Sequence, residues 1–381
     1  MKLVELGTIL HMDKGKKPQK QQEKYKEGYL PYVDIQAFEE GIIKSYADPQ
    51  KCLLCEDGDL LIVCDGSRSG LTGRAIKGVV GSTLSKISAD GLCTEYLQYF
   101  IQSKYTLLNT RKKGTGTPHL NAELLKKSKL VIPTQTEQER IVSKIEELFS
   151  KLDASVVELK TAKEKLKVYR QAVLKEAFDA VSESPRAKIQ HICEYIIDCP
   201  HSTPKWTNAG KICLRTTNFK RGYLDLREKN YVSEETFNAR NSRLIPASGD
   251  VLYSREGAIL GIACIIPAGL SVCLGQRMML LRTNEENFNR FLMHYLNSPA
   301  VTNYVASITG GSASPHVNVR DIKNFLIPVP KLDVQKRTVL KIEERISICD
   351  DSERSIDTAI QQAEALRQSI LKQAFEGRLI E

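Results

Sequence analysis

The chain repeats itself once, at long range. Residues 118–180 return without a gap as residues 315–377. The offset is constant: 316 minus 119 for the paired histidines, and 375 minus 178 for the paired phenylalanines, both give 197. Along this register 23 of 63 positions are identical, whereas random pairing at average composition matches roughly one in fifteen. A period of 197 is far longer than the ~20–50 residues of a solenoid unit. The pattern is that of an internal two-fold, able to hold two copies of one partner or two halves of an extended ligand.

The repeated segments carry the strongest periodicity. Ile141, Ile145, Leu148, Leu152, Ser155, Leu159, Ala162, Leu166, Tyr169 and Val173 alternate by four and three, the seam of a coiled coil. No proline interrupts this run before Pro185. A helix of ~40 residues is ~60 Å long and cannot bury such a stripe unaided. Thr136 with Glu139 is read as a capping box at its start. In the second copy, predicted from about residue 334 to 375, the seam becomes Thr338, Ile342, Arg345, Cys349, Ser352, Ile356, Ala359, Ala363, Leu366 and Ile370. A small-residue stripe facing a leucine-rich one lets two helices approach closely. The expected solution is therefore an antiparallel pair within one chain. The alternative is that each helix packs on its own neighbouring domain.

The remaining blocks are mixed. Strands are expected over 29–38, 53–54, 60–64, 130–133, 212–215, 250–254, 262–266, 278–281 and 325–330, and helices over 92–108 and 288–296. Residues 65–70 read as a turn cluster, 115–119 and 310–316 as loops, and 181–186 as a linker. Gly58-Asp59-Leu60 resembles Gly249-Asp250-Val251, so the two blocks are expected to be similar folds with unlike surfaces.

A length of 381 residues allows two to three domains. The formal charge of +9 is compatible with a polyanionic partner without demanding one. Residues 1–117 hold 17 Lys/Arg against 14 Asp/Glu, and 187–314 hold 14 against 10. No stretch is long and apolar enough to span a membrane. Met1-Lys2-Leu3-Val4-Glu5-Leu6 has no secretory character, so a cytoplasmic location is expected. In that setting the ten cysteines are expected as free thiols.

The doubled motif is specific. The first copy reads Pro118-His119-Leu120-Asn121, Ile132-Pro133, Gln138-Glu139-Arg140-Ile141-Val142 and Lys144-Ile145-Glu146-Glu147. The second reads Pro315-His316-Val317-Asn318, Val329-Pro330, Gln335-Lys336-Arg337-Thr338-Val339 and Lys341-Ile342-Glu343-Glu344. Arg170-Gln171 and Leu174-Lys175 with Ala177-Phe178 recur as Arg367-Gln368 and Leu371-Lys372 with Ala374-Phe375. Over the whole chain this arrangement resembles the specificity subunit of type I restriction-modification systems. The resemblance implies an α+β chain: two mixed α/β target recognition domains joined by two long antiparallel coiled-coil helices with pseudo-two-fold symmetry. The domains would be residues 1–135 and 181–332, and the helices 136–180 and 333–381. The resemblance also implies partners: double-stranded DNA read as a split target, two adenine-N6 methyltransferase subunits docked on the helical repeats, and restriction-motor subunits. AdoMet, ATP and magnesium would belong to those partners, leaving this chain non-catalytic and without cofactor or metal of its own.

The residues agree with that division of labour. No Asn-Pro-Pro-Tyr motif, P-loop or nucleophile elbow is present. Gly114-Thr115-Gly116 does not continue as a dinucleotide fingerprint. Glu158-Leu159-Lys160 is read as a solvated helix face. Cys52 and Cys55 lack a second ligand pair at zinc spacing. The cluster His191, Cys193, Cys199 and His201 is the other metal candidate, and core packing is the expected role of these thiols. His119 and His316 are expected to anchor loops.

Phosphate contacts give affinity and base-edge contacts give sequence. Candidate phosphate binders are Lys14, Lys16, Lys17 and Lys20, then Arg111, Lys112 and Lys113, and in the second block Lys205, Lys211, Lys220 and Arg221. A solvated surface accounts equally for any single one. Candidate base readers are Ser67, Arg68, Ser69 and Arg74, with Arg215, Asn218, Arg255 and Gln276 in the second block. These sets differ between the blocks, so the target is expected to be asymmetric. The rival readings are a coiled-coil scaffold that binds protein without DNA specificity, and an enzyme with unfamiliar residues.

Overall fold

The computed structural model describes residues 3–113, 118–310 and 315–379. Parts of both expected glycine-rich loops, residues 114–117 and 311–314, lie outside the described residues. The chain divides into two compact units, Met1–Leu159 with Asp357–Glu381, and Lys160–Ile356.

Each unit builds the same pair of sheets. In the first, an antiparallel sheet runs Leu10–Lys14, Leu84–Ala89, Leu60–Val63, Thr72–Arg74. In the second, the order is Cys193–Asp198, Met278–Thr283, Val251–Ser254, Ala263–Ile265. A smaller sheet lies beside each. Its first four strands are Gln21–Gln22, Tyr46–Ala47, Leu30–Val33 and Gly78–Val80 in one unit. In the other they are Trp206–Thr207, Tyr231–Val232, Lys211–Leu214 and Val272–Leu274. The third and fourth strands pair in parallel in both.

The central strands are apolar at every position because each sheet is covered on both faces. Leu60 and Ile62 enter one core while Leu61 and Val63 enter another. Val251 and Tyr253 likewise separate from Leu252. Alternation of side chains across a strand turns one apolar run into two cores. The turn before each strand is also shared. Asp59 accepts the Glu56 N–H at 2.8 Å and Asp250 the Ala247 N–H at 2.8 Å. Gly58 and Gly249 sit at φ 86° and 89°, a region that favours glycine.

The repeated segments form helices Gln135–Asp179 and Leu332–Phe375, of 45 and 44 residues. The first is capped two residues earlier than the Thr136–Glu139 expectation: the reciprocal cap is Thr134 with Glu137, whose carboxylate accepts the Thr134 N–H at 2.8 Å. The expected 29–38 strand ends at Val33, and Asp34 caps a helix Ile35–Glu40. The expected 92–108 helix is two, Thr94–Ser103 and Tyr105–Thr110. Very short strands such as Gln21–Gln22 carried no apolar pattern and went unread.

The long helices pair antiparallel within each unit. In the first unit, Ile145 and Phe149 pack on Ile370, Leu371 and Ala374, and Asp153 pairs with Arg367. In the second, Leu174 and Phe178 share a core with Val339 and Ile342, and Arg170 pairs with Asp350 at 2.6 Å. These two ion pairs are the same pair seen twice, since 170 plus 197 is 367 and 153 plus 197 is 350. The seam departs from expectation in its middle, where Ser155 and Tyr169 are exposed. The helix ends also bury residues on a second face, among them Val142 and Phe149. The helices pack on each other, as expected, and their ends also pack on the sheets' helices. Phe375 meets Tyr96 and Phe100 edge-on at 5.1 and 5.3 Å, and Phe178 meets Phe291 and Tyr295 at 5.2 and 5.0 Å.

The motif glutamines make the polar half of this docking. Gln138 is 1% exposed. It accepts the Cys93 N–H at 2.8 Å and donates to the carbonyls of Gly91 and Pro133. Gln335 repeats this, accepting the Phe288 N–H at 2.9 Å and donating to Asn287 and Pro330. Each thereby satisfies an orphan donor at the start of the sheet-packed helix. Gln138→Ala or Gln335→Ala is expected to cost about 1–3 kcal/mol by leaving buried groups unpaired, read as a lowered denaturation midpoint. Exposed Gln361→Ala should stay within about 0.5 kcal/mol.

Candidate nucleic-acid interface

The turn after Leu60–Val63 builds the first candidate surface. Gly66 donates its N–H to Pro118 at 2.8 Å, and Leu120 donates to Cys64 at 2.7 Å, so the Pro-His motif clamps the base of the turn. The second unit uses the same clamp: Gly257 donates to Pro315 at 3.0 Å and Val317 to Arg255 at 2.9 Å. His119 and His316 accordingly bridge to Asp65 and Glu256. The tip between these anchors is exposed at Ser67 and Arg68. Lys112 donates to the Ser67 carbonyl at 2.6 Å, and Lys113 exchanges both backbone hydrogen bonds with His119. The fold thus gathers Lys14, Ser67, Arg68, Lys112 and Lys113. Arg68 is paired with Glu39. Arg111 is exposed beside this group, and Lys16, Lys17 and Lys20 are exposed along the stretch between the two sheets.

Other sequence candidates are structural ties. Ser69 is 0% exposed and its hydroxyl donates to the Gly66 carbonyl at 2.7 Å. Arg74 is half-buried between Glu95 and the Gly58 carbonyl, at 2.6 and 2.8 Å. In the second unit Asn218 is 4% exposed. It accepts the Arg215 N–H and donates to the carbonyls of Asp225 and Glu228. Arg255 is buried against Asp198 at 2.9 Å and Glu256 at 2.7 Å. Gln276 donates to the His201 carbonyl at 2.6 Å. Ser69, Asn218 and Arg255 are withdrawn as base readers: they are buried, and their polar atoms are committed within the chain. Residue type marked them as readers; burial decided otherwise.

Lys220 and Arg221 lie on the Phe219–Lys220 and Tyr223–Leu224 hairpin. Both line an open polar cavity of about 710 Å³ with Lys167, Arg170, Arg290 and Glu343. The Arg221 guanidinium donates to the Asn297 carbonyl at 3.2 Å, and its burial there lowers its pKa. Arg215 is exposed and stacks over Trp206 at 5.6 Å. Trp206, 41% exposed, escaped the sequence reading; a lone tryptophan beside Lys205 in a polar stretch was the available signal.

The metal candidates do not assemble. Cys55 donates to the Ile76 carbonyl, Cys199 lies in an apolar core, and His201 pairs with Asp198 at 3.1 Å. All ten cysteines are free thiols.

Asp65 is the electrostatic hinge of the first loop. Burial alone would raise its carboxyl; the Lys14 ammonium at 2.8 Å and His119 Nδ1 at 2.7 Å outweigh that and lower its pKa. A carboxylate with a depressed folded-state pKa stabilises the fold above its unfolded value, near ~3.9, and loses that contribution as pH falls through the folded value. The stability difference between wild type and Asp65→Asn is therefore expected to shrink as pH falls below about pH 4. Thermal melts across that range measure it.

A domain built twice, with shared clamps and unlike exposed loops, defines a modular recognition protein. The chain belongs to the family of the type I restriction modification DNA specificity domain, which it matches over residues 1–165 and 189–362. It is a type I restriction-modification specificity subunit. It is 23% identical to the type I restriction enzyme MjaVIII specificity subunit of Methanocaldococcus jannaschii, covering 99% of this chain and 92% of that protein. It is 22% identical to the EcoBI specificity subunit of Escherichia coli, covering 84% and 73%. Its fold resembles the HsdS subunit from Thermoanaerobacter tengcongensis at 20% identity, TM-score 0.52, covering 99% and 97%. A chain solved in work on complex assembly and conformational transition of the type I R-M system gives TM-score 0.73 at 20% identity, covering 99% and 98%. Among the described residues no helix is long and apolar enough to cross a membrane.

Proposed function

We propose that this chain reads a split, asymmetric DNA target, with one half-site for each recognition domain. In this reading residues 1–135 and 181–332 are the recognition domains, and helices 136–180 and 333–381 set the spacer. The observation that carries the reading is the contrast between what is duplicated and what is not. The clamps at Gln138 and Gln335, the Phe178 and Phe375 contacts and the Arg–Asp pairs recur across the repeat. The exposed loop residues do not: Ser67 and Arg68 in one unit answer to Ala258 and Ile259 in the other. Identical partners suit the duplicated parts, and unlike half-sites suit the divergent loops.

The phosphate-binding set is Lys14, Lys16, Lys17, Lys20, Arg111, Lys112 and Lys113 in the first domain, and Lys205, Lys211, Lys220 and Arg221 in the second. Ser67, Arg68 and Arg215 are the exposed base-edge readers, and Arg74 and Gln276 tie their own loops, at Gly58 and His201. Two methyltransferase subunits dock on the long helices, and motor-nuclease subunits join through them. Large apolar residues left exposed on these helices support that docking: Leu340 and Val168 are 68% and 71% exposed, Ile348 is 62%, and Leu366 is 50%. A partner that covers such side chains removes their apolar surface from water. The methyl and phosphate chemistry, with AdoMet, ATP and magnesium, resides in those partners.

Bind-and-sequence selection on the complex with its methyltransferase is expected to return two short unlike motifs at a fixed gap, with binding that weakens steeply with salt. One contiguous motif, or none, would overturn the reading. Inserting one heptad at matched points of both long helices is expected to lengthen the gap and keep the letters. New letters at the old gap would defeat the spacer role.

A further inference from the structure

We propose that Trp206, braced by Arg215, is a DNA-stacking contact of the second recognition domain, with Tyr25 its counterpart in the first. The proposal rests on the DNA-reading function above and names a contact within it.

The position is built to hold an aromatic ring rigidly in the open. Trp206 lies on the outermost strand of the smaller sheet, paired to Val232. The segment leading to it is pinned from beneath. Arg240 donates to the carbonyls of Pro200, Ser202, Leu274 and Gly275, and Gln276 holds His201. Pro204 is buried while Lys205 and Trp206 are exposed. A large apolar side chain is costly to leave in water unless a partner covers it. Here the scaffold spends its hydrogen bonds on presenting one.

The surroundings select nucleic acid. The Arg215 guanidinium lies 5.6 Å from the ring centre, exposed Lys205 precedes the ring in sequence, and Lys211 lies on the third strand, opposite Val232, where it pairs with Glu234 at 3.7 Å. An exposed aromatic face beside an arginine packs on sugars or on an unstacked base while the charge meets a phosphate. The stack also pre-orders Arg215, so less freedom is lost when its guanidinium reaches a phosphate or a guanine edge.

The first unit repeats the device with different residues. Its outermost strand, Gln21–Gln22, leads to Tyr25, which is 67% exposed. Tyr46 braces Tyr25 edge-on at 5.4 Å, and Lys24 and Lys26 flank it in sequence. Tyr25 lies three residues past that strand, so the first unit also holds a braced, exposed aromatic beside lysines near its outermost strand.

Trp206 is the chain's sole tryptophan, which makes it its own probe. The assembled complex is titrated with a labelled random-sequence duplex, following anisotropy for total binding. Subtracting the emission of a W206F complex isolates the indole. The expected result is a change in that difference emission on binding, with W206A weakening binding roughly five- to hundred-fold and W206F retaining most of it. Selected sites should change in one half only. Circular dichroism of W206A checks its fold; should W206A misfold, R215Q carries the affinity test, with weaker binding expected. Binding with unchanged indole emission, and with W206A or R215Q equal to wild type, overturns the proposal and leaves the DNA-reading function standing. Absence of any duplex binding by the wild-type complex at low salt overturns both. An emission change caused by the protein partner alone, before DNA is added and unaltered by it, reassigns the residue to a protein contact and also overturns the proposal.

Discussion

The structure depends on burying the two long amphipathic helices. Neither could persist alone, because a helix of this length with a one-sided apolar stripe gains its stability from tertiary packing. Each unit answers in the same way. Ile145 and Phe149 meet Ile370, Leu371 and Ala374 in one, and Leu174 and Phe178 meet Val339 and Ile342 in the other. The ion pairs across the seam add direction to this burial. Arg170 and Arg367 are 22% and 25% exposed and their aspartates 53% and 64%, so each pair contributes little energy, about 0–1 kcal/mol. Their value is in register: a slip along the seam would move both arginines away from their partners.

Duplication then shapes everything attached to the helices. The motif residues are spent on docking: a buried glutamine at the start of each helix, an aromatic near its end, and a Pro-His clamp under each recognition loop. The same motif that reveals the family is thus scaffold, while the loops above the clamps keep only their glycines, Gly66 and Gly70 answering to Gly257 and Gly261. This separation lets the exposed surface change while the two cores remain packed.

Residue type alone did not separate the exposed candidates from the buried ones. Lys112, Arg68 and Arg215 stand where their chemistry suggested, on exposed turns. Ser69, Asn218 and Arg255 have the same hydrogen-bonding repertoire but face inward, where backbone N–H and C=O groups of irregular loops require partners. A polar side chain next to a turn serves either role, and only the neighbouring backbone decides which. Trp206 is the converse case. No sequence pattern singled it out, and it stands on an outermost strand whose leading segment Arg240 ties down.

The sequence by itself determined the duplication, the long helices and their pairing direction. These follow from a period of seven sustained over many turns and from one constant offset, both of which are one-dimensional properties. The tertiary structure decided which polar residues are ties and which are free, how the helix ends divide their faces between each other and the sheets, and which strands of two residues complete the smaller sheets. Those depend on which backbone groups come to lie side BY side from positions dozens of residues apart, and no local pattern carries that information.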